Sequence, residues 1–320
     1  MATKRIKNYF IALLGVLFFL AYSENTLAEN KKLTVLLDWF ANPSHAPLFV
    51  AEQQGFFKAE GLDVELIGPA DPADPPKLVA AGKADIAITY EPQFIEQVEQ
   101  GFPLIRIGTL INKPLNCLVV LQSNPIHTIQ DLKGKRIGYS SGGSVNSITL
   151  KTMLENNGLH LNDTQHINVH YDLTQALLSR NVDAVTGMMR TFEVIQMELA
   201  GHPARLFLPE KNGVPSYSEL IFVINKNTIQ DPRYRKFLNA LQKGVIYLQL
   251  HPEETWKAFA KTLPELNDTL NHRAWIATLP YFAKNPAYFD SQEWLAFAQF
   301  MQKNGLIKNA LPIDYYARII

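Results

Sequence analysis

The chain has 320 residues and only one cysteine, Cys117. That count excludes an internal disulfide and any metal centre built on paired thiolates. An excess of one charge is missing too, since 30 Lys and Arg balance 30 Asp and Glu. No basic stripe with interleaved aromatics occurs, so nucleic acid is not indicated as a partner. The eight histidines are scattered, and none has the i, i+4 spacing beside a Glu that a zinc-binding helix uses. His160, His166 and His170 lie close together, but around a helix end and a strand start, which reads as solvated surface. No Walker loop, Gly-x-Gly-x-x-Gly turn or nucleophile elbow is read from the chain. Without a recognisable nucleophile, base and oxyanion hole, the sequence gives catalysis little support and predicts no metal and no cofactor.

Long apolar runs are also scarce. The longest lies near the start, where Lys4, Arg5 and Lys7 precede 12 apolar residues from Phe10 to Ala21. A run of 12 falls short of the roughly 20 residues a spanning helix needs. Thr26-Leu27-Ala28 follows, with small residues where a signal peptidase reads. Residues 1–28 are therefore expected to be a secretory signal cleaved after Ala28, delivering the protein to the periplasm. A lipoprotein would need a cysteine at the new N-terminus, and Cys117 is too far along to serve.

What remains is an ordinary globular composition with 47% hydrophobic residues. Strand-like runs alternate with helix-like ones. The strands are read at Leu33 to Leu37, Val64 to Ile67, Ile86 to Thr89, Leu104 to Leu110 and Cys117 to Leu121. A composition shift at Gln122-Ser123-Asn124-Pro125 opens a second series. Its strands are Arg136 to Tyr139, Ile167 to His170 and Val182 to Thr186, with a helix from about Val145 to Asn156. Such alternation predicts an α/β protein of two lobes, each a mostly parallel sheet with helices on both faces. Leu220 to Ile224 reads as the return crossing. Residues 29–122 and 225–320 form the first lobe and 123–224 the second. The tail is helical, with Phe237, Leu238, Leu241, Val245 and Leu248 at amphipathic spacing, and Trp256, Phe259, Trp294, Phe297 and Phe300 read as core.

Ligands of open α/β sheets sit beyond the carboxyl ends of the strands. Four polar or aromatic corners are expected to converge there. The first, Leu36 to Pro47, carries Trp39, Asn42 and His45 where an apolar strand stops. The second carries Tyr90 and Glu91, and the third runs from Asn112 to Asn116. The fourth is the loop Gly138 to Ser147, where Gly142, Gly143 and Ser144 precede a helix whose N–H groups suit an anion or a carbonyl oxygen. A fifth corner follows the strand ending at Thr186. It places Glu193 one turn into the next helix, as a cap or a ligand acceptor, with Arg190 near enough to pair with it.

Taken together these segments resemble a known family. Leu37-Asp38-Trp39, Asn42-Pro43-Ser44-His45, Gly55-Phe56-Phe57, Gly61-Leu62-Asp63-Val64 and Gly82-Lys83-Ala84-Asp85 look like the substrate-binding proteins of thiamine-precursor ABC importers. Tyr90-Glu91-Pro92, Pro114-Leu115-Asn116, Leu150-Lys151-Thr152-Met153 and Gly213-Val214-Pro215-Ser216-Tyr217 sharpen the match toward the pyrimidine binders. The resemblance implies a type II-like periplasmic binding fold, hinge closure, and a ligand such as formylaminopyrimidine or hydroxymethylpyrimidine. It also implies a monomer that docks on an inner-membrane permease driven by a cytoplasmic ATPase. Trp39 and Tyr90 would stack on the ring, and Glu193 would accept from its amine. Asn116 would donate or accept, the Gly142–Ser144 loop would hold the polar substituent, and Tyr217 would line the cleft. Residues 188–192, Met-Met-Arg-Thr-Phe, depart from the expected aromatic wall. Riboflavin, a sulfonate or nitrate therefore stay open as ligands. The synthase branch of the same superfamily, which consumes one of its own histidines, is the enzymatic alternative, and the region of His45 resembles it.

Overall fold

A computed structural model describes residues 31–140 and 144–320. The first half of the chain contributes β1 (Lys31–Leu36), α1 (Ala46–Gln53), α2 (Phe56–Ala59), β2 (Leu62–Ile67), α3 (Pro75–Ala80), β3 (Ile86–Thr89), α4 (Glu91–Glu99) and β4 (Leu104–Ile111). Next come β5 (Asn116–Leu121), β6 (Arg136–Tyr139), α5 (Ser144–Glu155), β7 (Gln165–Asn168), α6 (Leu173–Leu178), β8 (Ala184–Met189), α7 (Glu193–Leu199) and β9 (Ala204–Phe207). The chain then returns through β10 (Leu220–Asn225) and ends in α8 (Pro232–Leu250), α9 (Pro252–Thr262), α10 (Thr269–Thr278), α11 (Ser291–Lys303) and α12 (Ile313–Tyr316). Among the described residues, no helix is long and apolar enough to cross a membrane.

Two five-stranded sheets form, in the orders β2-β1-β3-β10-β4 and β7-β6-β8-β5-β9. Each is mixed rather than purely parallel. In the first sheet β10 runs antiparallel to both β3 and β4, and in the second β5 runs antiparallel to both β8 and β9. The other four strands of each sheet share one direction. The opposed strand is in each case the one that a crossover between lobes delivers. Both faces of the first sheet are covered at β3 and β10, which is why these read as apolar runs, whereas the edge strand β2 alternates. Leu220, Phe222 and Ile224 of β10 face one core, while Ile221 and Val223 face another.

The sheets also move the lobe boundaries. β5 belongs to the second sheet, so the first crossover is residues 112–115, earlier than the composition shift at Gln122 suggests. β10 belongs to the first sheet, so the second crossover is residues 208–219 rather than a break at 224. Two strands shift in register against the sequence reading. β7 covers Gln165–Asn168, and His170 already has a left-handed φ of 50°. β8 continues past Thr186 because Gly187, with φ 97°, is an extra residue between Thr186, opposite Leu118, and Met188, opposite Cys117. A glycine that reads as a stop is here a bulge, and a bulge re-aims the residues beside it.

The long α8 starts on Asp231, whose side chain accepts from the Arg233 N–H, with Pro232 in the first turn. Its apolar face, Phe237, Leu238, Leu241, Val245 and Leu248, is buried as its spacing predicts. Trp256, Phe259, Trp294 and Phe297 are buried too, and Phe300 is half-buried. α8 approaches α1 closely at Gly244, where an added Cβ would stand 2.6 Å from the Pro47 carbonyl oxygen. Gly244→Val is therefore expected to destabilise the fold by about 2 kcal/mol, within the range of overpacked cores. A urea midpoint equal to that of the parent would show that the two helices separate without cost.

Candidate ligand-binding site

β1 ends at the edge of the sheet, and the chain turns sharply through a 3-10 turn, Pro43–His45. Asn42 caps that turn: its Oδ1 accepts from the Ser44 N–H at 2.8 Å and its amide donates to the Phe40 carbonyl at 2.9 Å. The Asn42 N–H in turn donates to His45 Nδ1 at 3.3 Å. His45 therefore carries its proton on Nε2, which donates to Asp38 Oδ1 at 2.9 Å. The other Asp38 oxygen accepts from the Tyr90 hydroxyl at 2.8 Å. Burial and the Asp38 carboxylate hold the Tyr90 phenol far above its usual range, so it stays a donor. A local cap thus fixes an imidazole, the imidazole fixes a carboxylate, and the carboxylate fixes a phenol.

The space beyond this wall is a small cavity of about 30 Å³, lined from both lobes. The first lobe lines it with Asp38, Trp39, Asn42, Ser44 and Tyr90. The second lobe contributes Ser140, Leu173, Gly187, Met189, Phe192 and Glu193. Two carboxyl groups line the cavity, and no Lys or Arg does so among the described residues. Residues 141–148 contain none in sequence either. Glu193 opens α7, and its Oε2 accepts from the Met189 N–H at 2.8 Å. Burial pushes its carboxyl up to about 7, against the pull of the backbone donors. No group of three or more His, Cys, Asp or Glu placed to hold a metal ion occurs among the described residues.

Trp39 leaves the first lobe and packs into the core of the second, where it is 8% exposed. Its indole meets the Tyr171 ring edge-on at 4.4 Å, and its Nε1–H has no partner among the described residues. The Tyr171 hydroxyl donates across the cleft to the Pro69 carbonyl at 2.9 Å. At the other side of the mouth Phe192 and Ile195 pack on Ala274, and Arg273 of α10 pairs with Glu198 of α7 at 2.8 Å. The two lobes are closed on the cavity.

The sequence profile of the family described as NMT1/THI5 like matches residues 42–255. The chain belongs to that family. A relative named as a putative thiamine biosynthesis protein, from Haemophilus influenzae, is 45% identical over 98% of both chains. The formylaminopyrimidine-binding protein of Halalkalibacterium halodurans is 31% identical over 80% of this chain and 78% of its own. A 4-amino-5-hydroxymethyl-2-methylpyrimidine phosphate synthase of Legionella pneumophila is 28% identical over 83% of this chain and 84% of its own. Among solved structures, the alkanesulfonate-binding protein SsuA of Xanthomonas axonopodis pv. citri superposes with a TM-score of 0.71 at 18% identity, over 91% of this chain and 99% of its own. At that identity the likeness is one of fold, the two-lobed architecture of periplasmic binding proteins.

Seen on this NMT1/THI5-like frame, the residues singled out in the sequence divide. Trp39, Asn42, Tyr90 and Glu193 meet at the cavity. His45 stands behind its wall, fully buried with both ring nitrogens engaged. Asn116 is buried beneath β8, where its Oδ1 accepts from the Gly187 N–H at 3.2 Å, and the third corner as a whole forms a crossover rather than a wall. Tyr217 packs against Phe297 at 5.4 Å in the core, away from the cavity. Gly142 and Gly143 lie outside the described residues, as does the side chain of Ser144, the first residue of α5. Arg190 does not pair with Glu193 but with Glu210, at 2.7 Å. Contrary to the sequence reading, Gly138-Tyr139-Ser140-Ser141-Gly142 has the spacing of a nucleophile elbow. Ser140 does line the cavity, yet no histidine lines it among the described residues.

The sequence gives Asp38 no role of its own at the site, and it marks residues 188–192 as the far wall without singling out Met189 and Phe192. For Asp38 a signal existed, an acid at the last turn of a buried strand. Met188 and Met189 differ only in which side of the bulged strand they face, and nothing in their order says so.

Four buried or half-buried carboxyls are raised, Glu91 to about 8 and Glu96, Glu193 and Glu219 to about 7, each chiefly by desolvation. The folded chain then holds more protons than the unfolded one between the ordinary carboxylate range and about pH 8, so stability falls as pH rises through that window. Asp131, Asp183, Asp231 and Glu210 are depressed, and their contribution is lost at still lower pH. Unfolding free energy measured against pH is expected to peak on the mildly acidic side of neutrality, and a maximum at pH 8 or above would contradict the assignment.

Proposed function

We propose that this protein is the solute-binding component of an ABC importer. Its ligand would be a thiamine pyrimidine precursor such as formylaminopyrimidine, held in the cavity between the lobes. The observation that carries this reading is the pairing of aromatic walls with two carboxyl groups and no cation. A flat heteroaromatic ring gains about 1 kcal/mol from aromatic contact beyond its burial. Its amine needs acceptors, which Asp38 and Glu193 supply. An aminopyrimidine edge offers an N–H donor beside a ring-nitrogen acceptor. Glu193, with its carboxyl near neutrality, matches that edge protonated, and its ionised form matches the protonated ring.

An anion meets the opposite situation. Sulfonate or nitrate would be desolvated beside two carboxyl groups with no cation to offset the charge. The fold shared with a sulfonate binder therefore does not carry its ligand over. The names of the Haemophilus and Halalkalibacterium relatives support the pyrimidine reading, and the names of the synthase relatives support the same ring as the object of recognition. Binding is favoured over synthesis by His45, whose ring is fully enclosed and holds Asp38, out of reach of the cavity. The charged, apolar and small-residue start of the chain supports export to the periplasm with cleavage after Ala28. The partners would be an inner-membrane permease and its cytoplasmic ATPase, met by a monomer.

A thermal-shift panel of formylaminopyrimidine, hydroxymethylpyrimidine, thiamine, riboflavin, pyridoxal phosphate, taurine and nitrate tests the reading. Ligand at 100 times its dissociation constant adds about 2.7 kcal/mol, so stabilisation by the pyrimidines and none by taurine or nitrate is expected. Stabilisation by an anion alone would sink the pyrimidine assignment. Trp39→Ala is expected to weaken pyrimidine binding about tenfold or more, through lost contact area and a wetter cleft. Calorimetry returning the parent affinity would remove Trp39 from the site.

A further inference from the structure

The first crossover ends at Leu115, next to Asn116 at the start of β5, and the backbone polar groups of these two residues meet two side chains of opposite charge, the Leu115 carbonyl accepting also from the Arg190 N–H at 2.9 Å. Glu219 Oε2 accepts from the Leu115 N–H at 2.5 Å and the Asn116 N–H at 2.9 Å. The Arg190 guanidinium donates to the Leu115 carbonyl through Nε at 3.3 Å and to the Asn116 carbonyl through Nη2 at 3.2 Å. Glu219 leads into β10 of the first sheet, while Arg190 directly follows β8 of the second. The same guanidinium forks onto Glu210 in the second crossover, at 2.7 and 3.2 Å. Glu219 is buried, as is Tyr217 two residues before it. Next to it, the Ser218 N–H donates to Glu91 of α4 at 2.7 Å. Neither Arg190 nor Glu219 lines the cavity. Met189, the neighbour of Arg190, does, and its N–H orients Glu193.

We propose that Arg190 and Glu219 form a charge latch across both crossovers, positioning residues that set how the lobes sit about the cavity without touching the ligand. Rotation of two lobes is absorbed by φ and ψ changes in a few linker residues. Leu115 and Asn116 are held through their N–H groups by Glu219, where the second crossover enters the first lobe, and through their carbonyls by Arg190 of the second lobe. Any rotation therefore loads these bonds. A planar fork suits this task, since it reaches two carbonyls and a carboxylate together, which a lysine ammonium does not. The proposal rests on the reading of the protein as one that closes on a solute, but its test needs no solute.

Cysteines introduced at Lys77 and Gln165, exposed positions in opposite lobes, would carry spin labels, the native Cys117 being buried. Pulsed dipolar distances would be recorded on the ligand-free full chain. Arg190→Met is expected to broaden the distribution and shift it to longer distances, and Arg190→Lys to restore it only in part. Glu210→Gln removes one link alone and carries the test if Arg190→Met does not fold. Distributions that superimpose on the parent, for folded variants, would overturn the latch. That result would leave the ligand reading intact, and an unresponsive ligand panel would leave the distance measurement valid.

Discussion

Each sheet of this protein is held together by a strand that runs against its neighbours. β10 is the only partner of β4 in the first sheet, and β5 is the only partner of β9 in the second. Without the opposed strand, two buried ladders would lose their hydrogen bonds, and unpaired buried backbone groups are costly. Each crossover runs from an edge strand of one sheet, β4 or β9, to the interior strand beside the edge of the other, β5 or β10.

Buried carboxyl groups cluster around this joint, and each has a distinct set of partners. Asp38 is satisfied by an imidazole and a phenol, Glu219 by two backbone N–H groups, and Glu193 by the Met189 N–H. Glu193 is the least satisfied of the three and faces the cavity. A buried carboxyl with spare hydrogen-bonding capacity costs stability unless something completes it. The indole N–H of Trp39, from the facing lobe, is likewise without a partner among the described residues.

Much of the fold was legible from pattern. Apolar runs bounded by Gly, Pro and Asn gave nearly all the strands, and the helical periodicity of Phe237 to Leu248 gave the buried face of α8. The joint was less legible. Gln122 to Pro125 looks like a linker because it is polar and turn-forming, but the chain changes lobes earlier, at 112–115, a polar stretch that reads equally well as a corner of the site. Gly187 looks like a terminator because glycine usually is one, whereas here it is a bulge opposite β5.

The sequence by itself determined the two-lobed α/β class, the corner at Trp39, Tyr90 and Glu193, and the balance of charge, because these depend on periodicity, composition and local turn chemistry. Only the tertiary structure decided that Asp38 is the hub of the near wall, that His45 supports it from behind, that Arg190 serves the crossovers and not Glu193, and that Asn116 and Tyr217 lie away from the cavity. Those outcomes depend on which residues distant in the chain arrive within hydrogen-bond reach. Strand order and crossover geometry set that, and neither leaves a local trace.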